Sequence, residues 1–394
     1  MSVPLAASLP YHAIFDILSR TPVKSVCRLR CVSKGWLDLL SNNPVFAAVH
    51  RRRHGPLLVD SGSFQEEEPA GGRDMRLLDV DGHVVRVIKG AGGFGMMCNT
   101  SVDDLVCVNG ASCDGAQVVD PATGEVILRC PQLEVVVKHG AVPFVATRYY
   151  NIFGFGRAAL SGEYKLIRLV ADGSCEVFTL GDNRGWRQAQ RPPIRFRSQR
   201  GSPVTVDGVL HFLEEAKHQN DDTLHCFDLE NEQWMPEVIQ GPQKLYGEKK
   251  WRDTLAIRIT ELNGALCMVQ SVCEDMNTAK LPGNPFTNIW ILDNSDKRSW
   301  IKAYTILMAP STCRYMPLRV MQDRKLLLQC SLSNKRLLML QIYDSCTDTC
   351  TDITWAPNDL AGRIGLCSFR LEHRVPSNNM LALFLDQALL FLSN

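Results

Sequence analysis

The chain has 394 residues, 45% of them hydrophobic and 22% charged, with a formal net charge of +1. That composition is ordinary for a globular protein with a large core, and a charge so close to zero gives no sequence-independent attraction to nucleic acid or to a membrane surface; neither is expected as a partner. The opening MSVPLAASLP has no charged stretch followed by a long apolar one, no apolar run approaches membrane-spanning length, and the 15 cysteines are odd in number, so the expectation is a cytoplasmic and/or nuclear protein with mostly free thiols.

From Leu9 to Phe46 the pattern predicts three short helices. Ile14, Ile17 and Leu18 fall at spacings of three and four, one face of a first helix, and Pro10 stands near its start, where a missing amide costs little. This helix is expected to stop near Ser19. Thr21-Pro22 reads as the opening of a second helix carrying Val23, Val26, Cys27 and Leu29, with Thr21 accepting from the free amides and Pro22 in the first helical position. Ser33 restarts the chain, the third helix presents Trp36, Leu39 and Leu40, and Asn42-Asn43-Pro44 ends it. A helical unit of about 40 residues is near the lower limit for independent folding. Part of its apolar surface is therefore expected to serve another protein. The basic run from Arg51 to His54 reads as a solvated helix end or linker.

From Gly55 onward the period changes to short alternating or continuous apolar runs separated by Gly, Asn and Asp turns. Strands are expected at Val84 to Ile88, Leu105 to Val108, Val126 to Leu128, Tyr164 to Val170, Cys175 to Leu180, Val204 to Leu213, Leu224 to Leu229, Ile289 to Asp293, Leu326 to Gln329 and Leu337 to Tyr343. No helical pattern interrupts them, which disfavours a doubly wound parallel sheet. A loose repeat of roughly 45 to 55 residues underlies the runs. Strand pairs around Asp207-Gly208 or Asn263-Gly264 precede pairs that end in Trp234 or in Ser299-Trp300, and Val118 to Glu125 and Gly185-Trp186 belong to two further copies. Four-stranded units of that length are what propeller blades require, because each blade buries its faces only against its neighbours. The expected fold is a small all-α unit of three helices followed by an all-β propeller of about six blades. A strand from Cys367 to Arg374 is expected to close the ring near Leu57.

Chemical motifs are sparse. Gly90, Gly92 and Gly95 match a dinucleotide-type G-x-G-x-x-G after a strand, but Met96 to Asp104 has no helical periodicity, so a loop is read there. Cys346, Cys350 and His373, or Cys267 and Cys273, lack the C-x-x-C pairing of a closed zinc site, and structural thiols are expected; no metal or cofactor is. His211, His218 and His225 recur at seven, but on runs read as strands. Glu214-Glu215, Asp221-Asp222 and the Glu66 to Glu68 run read as solvated loop charge, as do Arg195, Arg197 and Arg200 around Phe196.

The run Leu9-Pro10, Ile14, Asp16-Ile17-Leu18, Arg20, Pro22-Val23-Lys24-Ser25, Arg28 to Lys34, Trp36 and Phe46 resembles an F-box of the plant type, with Ala13 and Thr21 standing where leucines are usual. Val118 to Glu125, Phe153-Gly154-Phe155-Gly156, Glu163-Tyr164-Lys165, Gly208-Val209-Leu210 and Ile289-Trp290 resemble phrases of the F-box-associated, kelch-like propeller domain. The resemblance implies an F-box at 1–50 and a propeller at 55–394. It also implies a non-catalytic substrate-recognition subunit of a Skp-cullin-F-box ubiquitin ligase, which docks a Skp-type adaptor and through it a cullin, and holds a target protein on the propeller. By motif match, Leu9, Pro10, Ile14, Ile17, Leu18, Pro22, Val23, Val26, Leu29, Val32 and Trp36 are assigned to the F-box fold and its adaptor surface. The alternatives are a propeller interaction module acting outside a ligase and a propeller that binds a small ligand or glycan.

Overall fold

The computed structural model describes residues 9–54, 57–60, 73–79, 84–93, 105–109, 115–121, 123–130, 136–139, 142–145, 152–170, 173–194, 196, 202–214, 222–242, 255–272, 285–293, 295–296, 299–309, 312–321, 324–332, 338–353 and 364–367. The side chains of Val23, Lys24 and Cys27 and the runs Glu66 to Glu68, Gly95 to Asp104 and Arg197 to Arg200 lie outside this set, as do Arg195, His218, Cys273 and His373. The chain divides into a helical unit and a larger β unit.

In the helical unit α1 spans Tyr11–Ser19, α2 Val23–Leu29, α3 Lys34–Asn42 and α4 Pro44–His54. Ser33 caps α3 by accepting from the Trp36 amide at 3.2 Å. The expected cap of α2 is not made. Pro22 is itself the capping residue, and Thr21, one position too early, turns its hydroxyl back to donate to the Ile17 carbonyl at 2.9 Å. The three expected helices are followed by a fourth. Pro44 disfavours continuation of α3 but is well suited to a first helical position, and Asn43 caps the new helix by accepting from the Phe46 amide at 2.9 Å. None of the described helices is long and apolar enough to cross a membrane.

The β unit is a six-bladed propeller. Blade 1 holds β1 (Leu57–Asp60), β2 (Met75–Leu78) and β3 (Val84–Ile88); blade 2 holds β4 (Val106–Asn109), β5 (Ala116–Asp120) and β6 (Glu125–Cys130). A separate hairpin pairs β7 (Val136–His139) with β8 (Val142–Val145). Blade 3 comprises β9 (Ile152–Arg157), β10 (Tyr164–Leu169), β11 (Cys175–Thr179) and β12 (Arg187–Ala189). Blade 4 comprises β13 (Val204–Val206), β14 (Val209–Leu213), β15 (Thr223–Asp228), β16 (Gln233–Trp234) and β17 (Ile239–Gln240). Blades 5 and 6 run through β18 (Leu255–Leu262), β19 (Ala265–Val272), β20 (Phe286–Leu292) and β21 (Trp300–Leu307), then β22 (Thr312–Val320), β23 (Lys325–Leu332), β24 (Leu338–Asp344) and β25 (Thr349–Asp352). The described neighbours within each blade are antiparallel, and the first strands of blades 3 to 6 face one another in sequence around the ring.

The last strand, β26 (Ile364–Cys367), returns to pair with β1, Leu57 opposite Cys367 and Asp60 opposite Ile364. Closure therefore uses the expected partner, but the strand precedes the expected span and meets it only at Cys367; residues 368–374 lie outside the described set. Apolar cores fill the seams between blades. Leu58, Leu78 and Leu366 meet Leu318, Leu327 and Leu340 across blades 1 and 6, and Val269, Ile289 and Ile306 meet Tyr315, Leu326 and Leu328 across blades 5 and 6. Alternation along β9 shows the logic. Phe153 and Phe155 enter the core with blade 2, while Gly156 faces blade 4 so closely that a Cβ there would lie 2.4 Å from a Leu229 methyl and 2.7 Å from that of Thr205. The hairpin β13–β14 turns at Asp207 (φ 49°) and Gly208 (φ 77°), both in the left-handed region that a two-residue hairpin of this hand requires.

Candidate functional site

The helical unit builds its core from one side of each helix. Leu18 and Ser19 of α1, Val26 of α2, Leu39 and Leu40 of α3, and Phe46 and Ala47 of α4 are buried. Phe15 packs edge-on against Phe46 with ring centroids 5.3 Å apart. That contact sets the rotation of α1. Ile14, Ile17 and Leu18, read as one face, are separated by it: Leu18 is 3% exposed, Ile14 half-buried, and Ile17 53% exposed. Leu9 and Val32 are also outward at 58% and 60%, Pro10 and Pro22 are exposed, and Leu29 and Trp36 are half-buried. Tyr11, Leu37 and Val45 are exposed apolar residues that the motif did not single out. Leu37 is flanked by the half-buried Trp36 and the buried Leu39 on α3, and only packing against the neighbouring helices decides which residue of such a run turns outward.

Arg20 and Arg53 both pair with Asp16, at 3.0 and 2.9 Å, and hydrogen bonds first from Arg20 and then from Arg53 hold the Asp16 carboxyl below the usual aspartate range.

Ion pairs such as Arg76 with Asp60 and Arg168 with Glu176 lie within single blades of the propeller, but one cluster joins two blades. Lys165, 3% exposed, donates to the Leu229 carbonyl at 2.7 Å and pairs with Glu232 at 2.9 Å, while Arg187 reaches Glu232 and Thr179. Burial pushes the Glu232 carboxyl up, but hydrogen bonds and charge from Arg187 and Lys165 outweigh it and hold it below the usual glutamate range. Glu230 accepts from the Leu160 and Ser161 amides, both at 3.0 Å. Blades 3 and 4 are thus tied by one turn of blade 4.

Two carboxylates read as solvated prove to be anchored: Glu214 accepts from His225 at 3.0 Å, and Asp222 is buried. His211 and His225 sit at adjacent rungs, opposite Cys226 and Phe212, so their side chains leave opposite faces of the sheet. Phe196 belongs to an aromatic cluster with Phe212, Trp234 and His225 rather than to an open basic surface. Burial pushes the Cys175 thiol up to about 12 and raises those of Cys130 and Cys267, so these thiols stay protonated at neutral pH and are poor nucleophiles. Among the described residues no three His, Cys, Asp or Glu side chains form a group that could hold a metal ion.

Against known proteins, an F-box domain is matched at residues 7–47 and an F-box associated beta propeller domain at 86–356. F-box protein At5g10340 of Arabidopsis thaliana is 25% identical over 357 residues, covering 81% of this chain and 75% of that protein. F-box protein At1g67130 of the same plant is 25% identical over 329 residues, 76% of this chain and 61% of its own length. Among solved structures, the nidogen/laminin complex is similar at a TM-score of 0.41 and 11% identity, over 79% of this chain and 98% of that one. With a propeller match that spans most of the chain behind an N-terminal F-box, the protein belongs to the family of plant F-box proteins that carry an F-box associated β-propeller domain.

Proposed function

We propose that the chain is the substrate-recognition subunit of a Skp-cullin-F-box ubiquitin ligase, in which the helical unit docks a Skp-type adaptor, and through it a cullin, while the propeller holds a target protein. The observation that carries this reading is the outward apolar set Leu9, Ile17 and Val32 on a helical unit whose own core is already filled by Leu18, Val26, Leu40 and Phe46. Ile14, Leu29 and Trp36 support the rim, and Leu18 and Val26 act by holding the helices together. The subunit does no covalent chemistry. It raises the effective concentration of target lysines near a ubiquitin-charged enzyme, in the cytoplasm and/or nucleus.

Ile17→Asp is the decisive variant, because Ile17 is 53% exposed and can be replaced without opening the core. Loss of a central apolar anchor costs about 2 kcal/mol or more, at least about thirtyfold in affinity. The expected result is that full-length protein captures a purified plant Skp-type adaptor and that Ile17→Asp, with unchanged melting, does not. A wild-type chain without adaptor affinity, or a folded Ile17→Asp protein that binds normally, refutes the reading.

A further inference from the structure

We propose that the last turn of α4, through Arg53 and His50, is a positioning element that holds the Ile17-bearing end of α1 in its docking conformation. The inference rests on the reading that this unit docks an adaptor, and it concerns residues that lie beyond the F-box match, which ends at residue 47.

The end of α1 has the usual problem of a helix C-terminus: its last carbonyls have no partner within the helix. The Arg20 amide and the Thr21 hydroxyl meet the Ile17 carbonyl, the Thr21 amide meets that of Leu18 and the Ser19 hydroxyl that of Asp16, and α4 braces this turn from outside. The Arg53 guanidinium donates to the Asp16 carbonyl at 3.3 Å and to the Ser19 hydroxyl, and it pairs with the Asp16 carboxylate at 2.9 Å. His50 contacts the Thr21 carbonyl at 2.9 Å; since a carbonyl only accepts, this ring nitrogen carries the proton. The same imidazole stacks on Phe46, with centroids 5.7 Å apart, and Phe46 in turn meets Phe15 edge-on. Asp16, Ser19 and Thr21 bracket Ile17 on both sides along the chain.

Placing a cation at this end of α1 favours the helix dipole and offsets a carboxylate that would otherwise oppose it. A planar guanidinium is suited to the task because it meets a carbonyl, a hydroxyl and a carboxylate at once, which a lysine ammonium on a flexible stem does less well. Arg53 needs no contact with the adaptor for this. It acts by keeping the last turn of α1 formed before docking, so that the adaptor does not meet a frayed end. When the competent fraction of a surface falls, the apparent dissociation constant rises by the same factor, so a drop to about one fifth weakens binding about fivefold.

The test uses full-length protein, a purified plant Skp-type adaptor and two readouts: adaptor affinity, and amide hydrogen exchange at residues 17–21. Arg53→Ala is expected to weaken adaptor binding about fivefold and to speed exchange at those amides, with propeller melting unchanged; Arg53→Lys, which keeps the charge without the planar fork, is expected to recover only part of both. If Arg53→Ala leaves affinity unchanged, the proposal is overturned whatever happens to exchange. Lost affinity with unchanged exchange also overturns it, by making Arg53 a direct contact. Should Arg53→Ala unfold the helical unit, the lysine variant decides by the same two readouts. Absence of adaptor binding by the wild-type chain would instead remove the docking reading, and exchange at 17–21 would still report whether Arg53 orders the end of α1.

Discussion

Ring closure through the C-terminal strand gives the sharpest test of the propeller. Leu366 on β26 is 7% exposed and packs with Leu58, Leu78, Leu318, Leu327 and Leu340, so it contributes to a core shared by the first and last blades. Leu366→Ala removes three carbons from a site whose surroundings are held by two sheets and can collapse only partly; such changes cost about 3 kcal/mol. At about 2 °C per kcal/mol for a large domain, melting of the propeller should fall by roughly 6 °C. Leu340→Ala, fully buried on the blade 6 side of the same seam, should cost a similar amount, whereas Leu307→Ala on the outer strand β21, at 57% exposure, should change stability by no more than about 0.5 kcal/mol. The assay is calorimetric or fluorescence-detected melting of the three variants beside the wild type. If Leu366→Ala melts like the wild type while Leu340→Ala is destabilised, the seam exists without β26 and the ring is not closed by it. Truncation before Ile364 extends the test, since it leaves the β1 edge and the Leu58 face open and should produce aggregation.

Other consequences are equally specific. Gly156→Val should destabilise the propeller by about 2 kcal/mol or more in thermal melting, because its Cβ would fall 2.4 Å from Leu229; an unchanged melting temperature would show that blades 3 and 4 are not in such close contact. At the same seam, Glu232 has a folded pKa held below its unfolded value near 4.5, so its contribution is fully present above that value and is lost as pH falls through the folded pKa. Glu232→Gln should cost about 2 kcal/mol at pH 7, since it leaves the buried Lys165 without its nearest carboxylate, and the loss should shrink below pH 4; a pH-independent difference would refute the linkage.

Much of the architecture was legible in the sequence because its signals are local. Ser33 caps the helix that its position before Trp36 and Leu39 implies, and Asp207-Gly208 makes the hairpin that only residues tolerant of positive φ allow. Phe153-Gly154-Phe155-Gly156 alternates as a strand should. The recurrence of strand pairs announced blades, since a blade must cover both faces with copies of itself.

The tertiary structure decided what depends on a distant partner. Ile17 and Leu18 carry the same hydrophobic signal one residue apart, and only the Phe15–Phe46 contact, 31 positions along the chain, turns one inward and leaves the other for a partner. Pro44 reads equally well as the end of one helix and the start of another, and Arg53 looks like solvated charge until α4 lays it against Asp16 and Ser19. Glu214 and Asp222 look like loop charge until the β14–β15 pairing brings His225 beside the first and buries the second. Periodicity and turn chemistry are written in neighbouring residues and can be read directly. Burial and ion pairing are properties of contacts between segments that the sequence holds far apart, so they emerge only when the chain is folded.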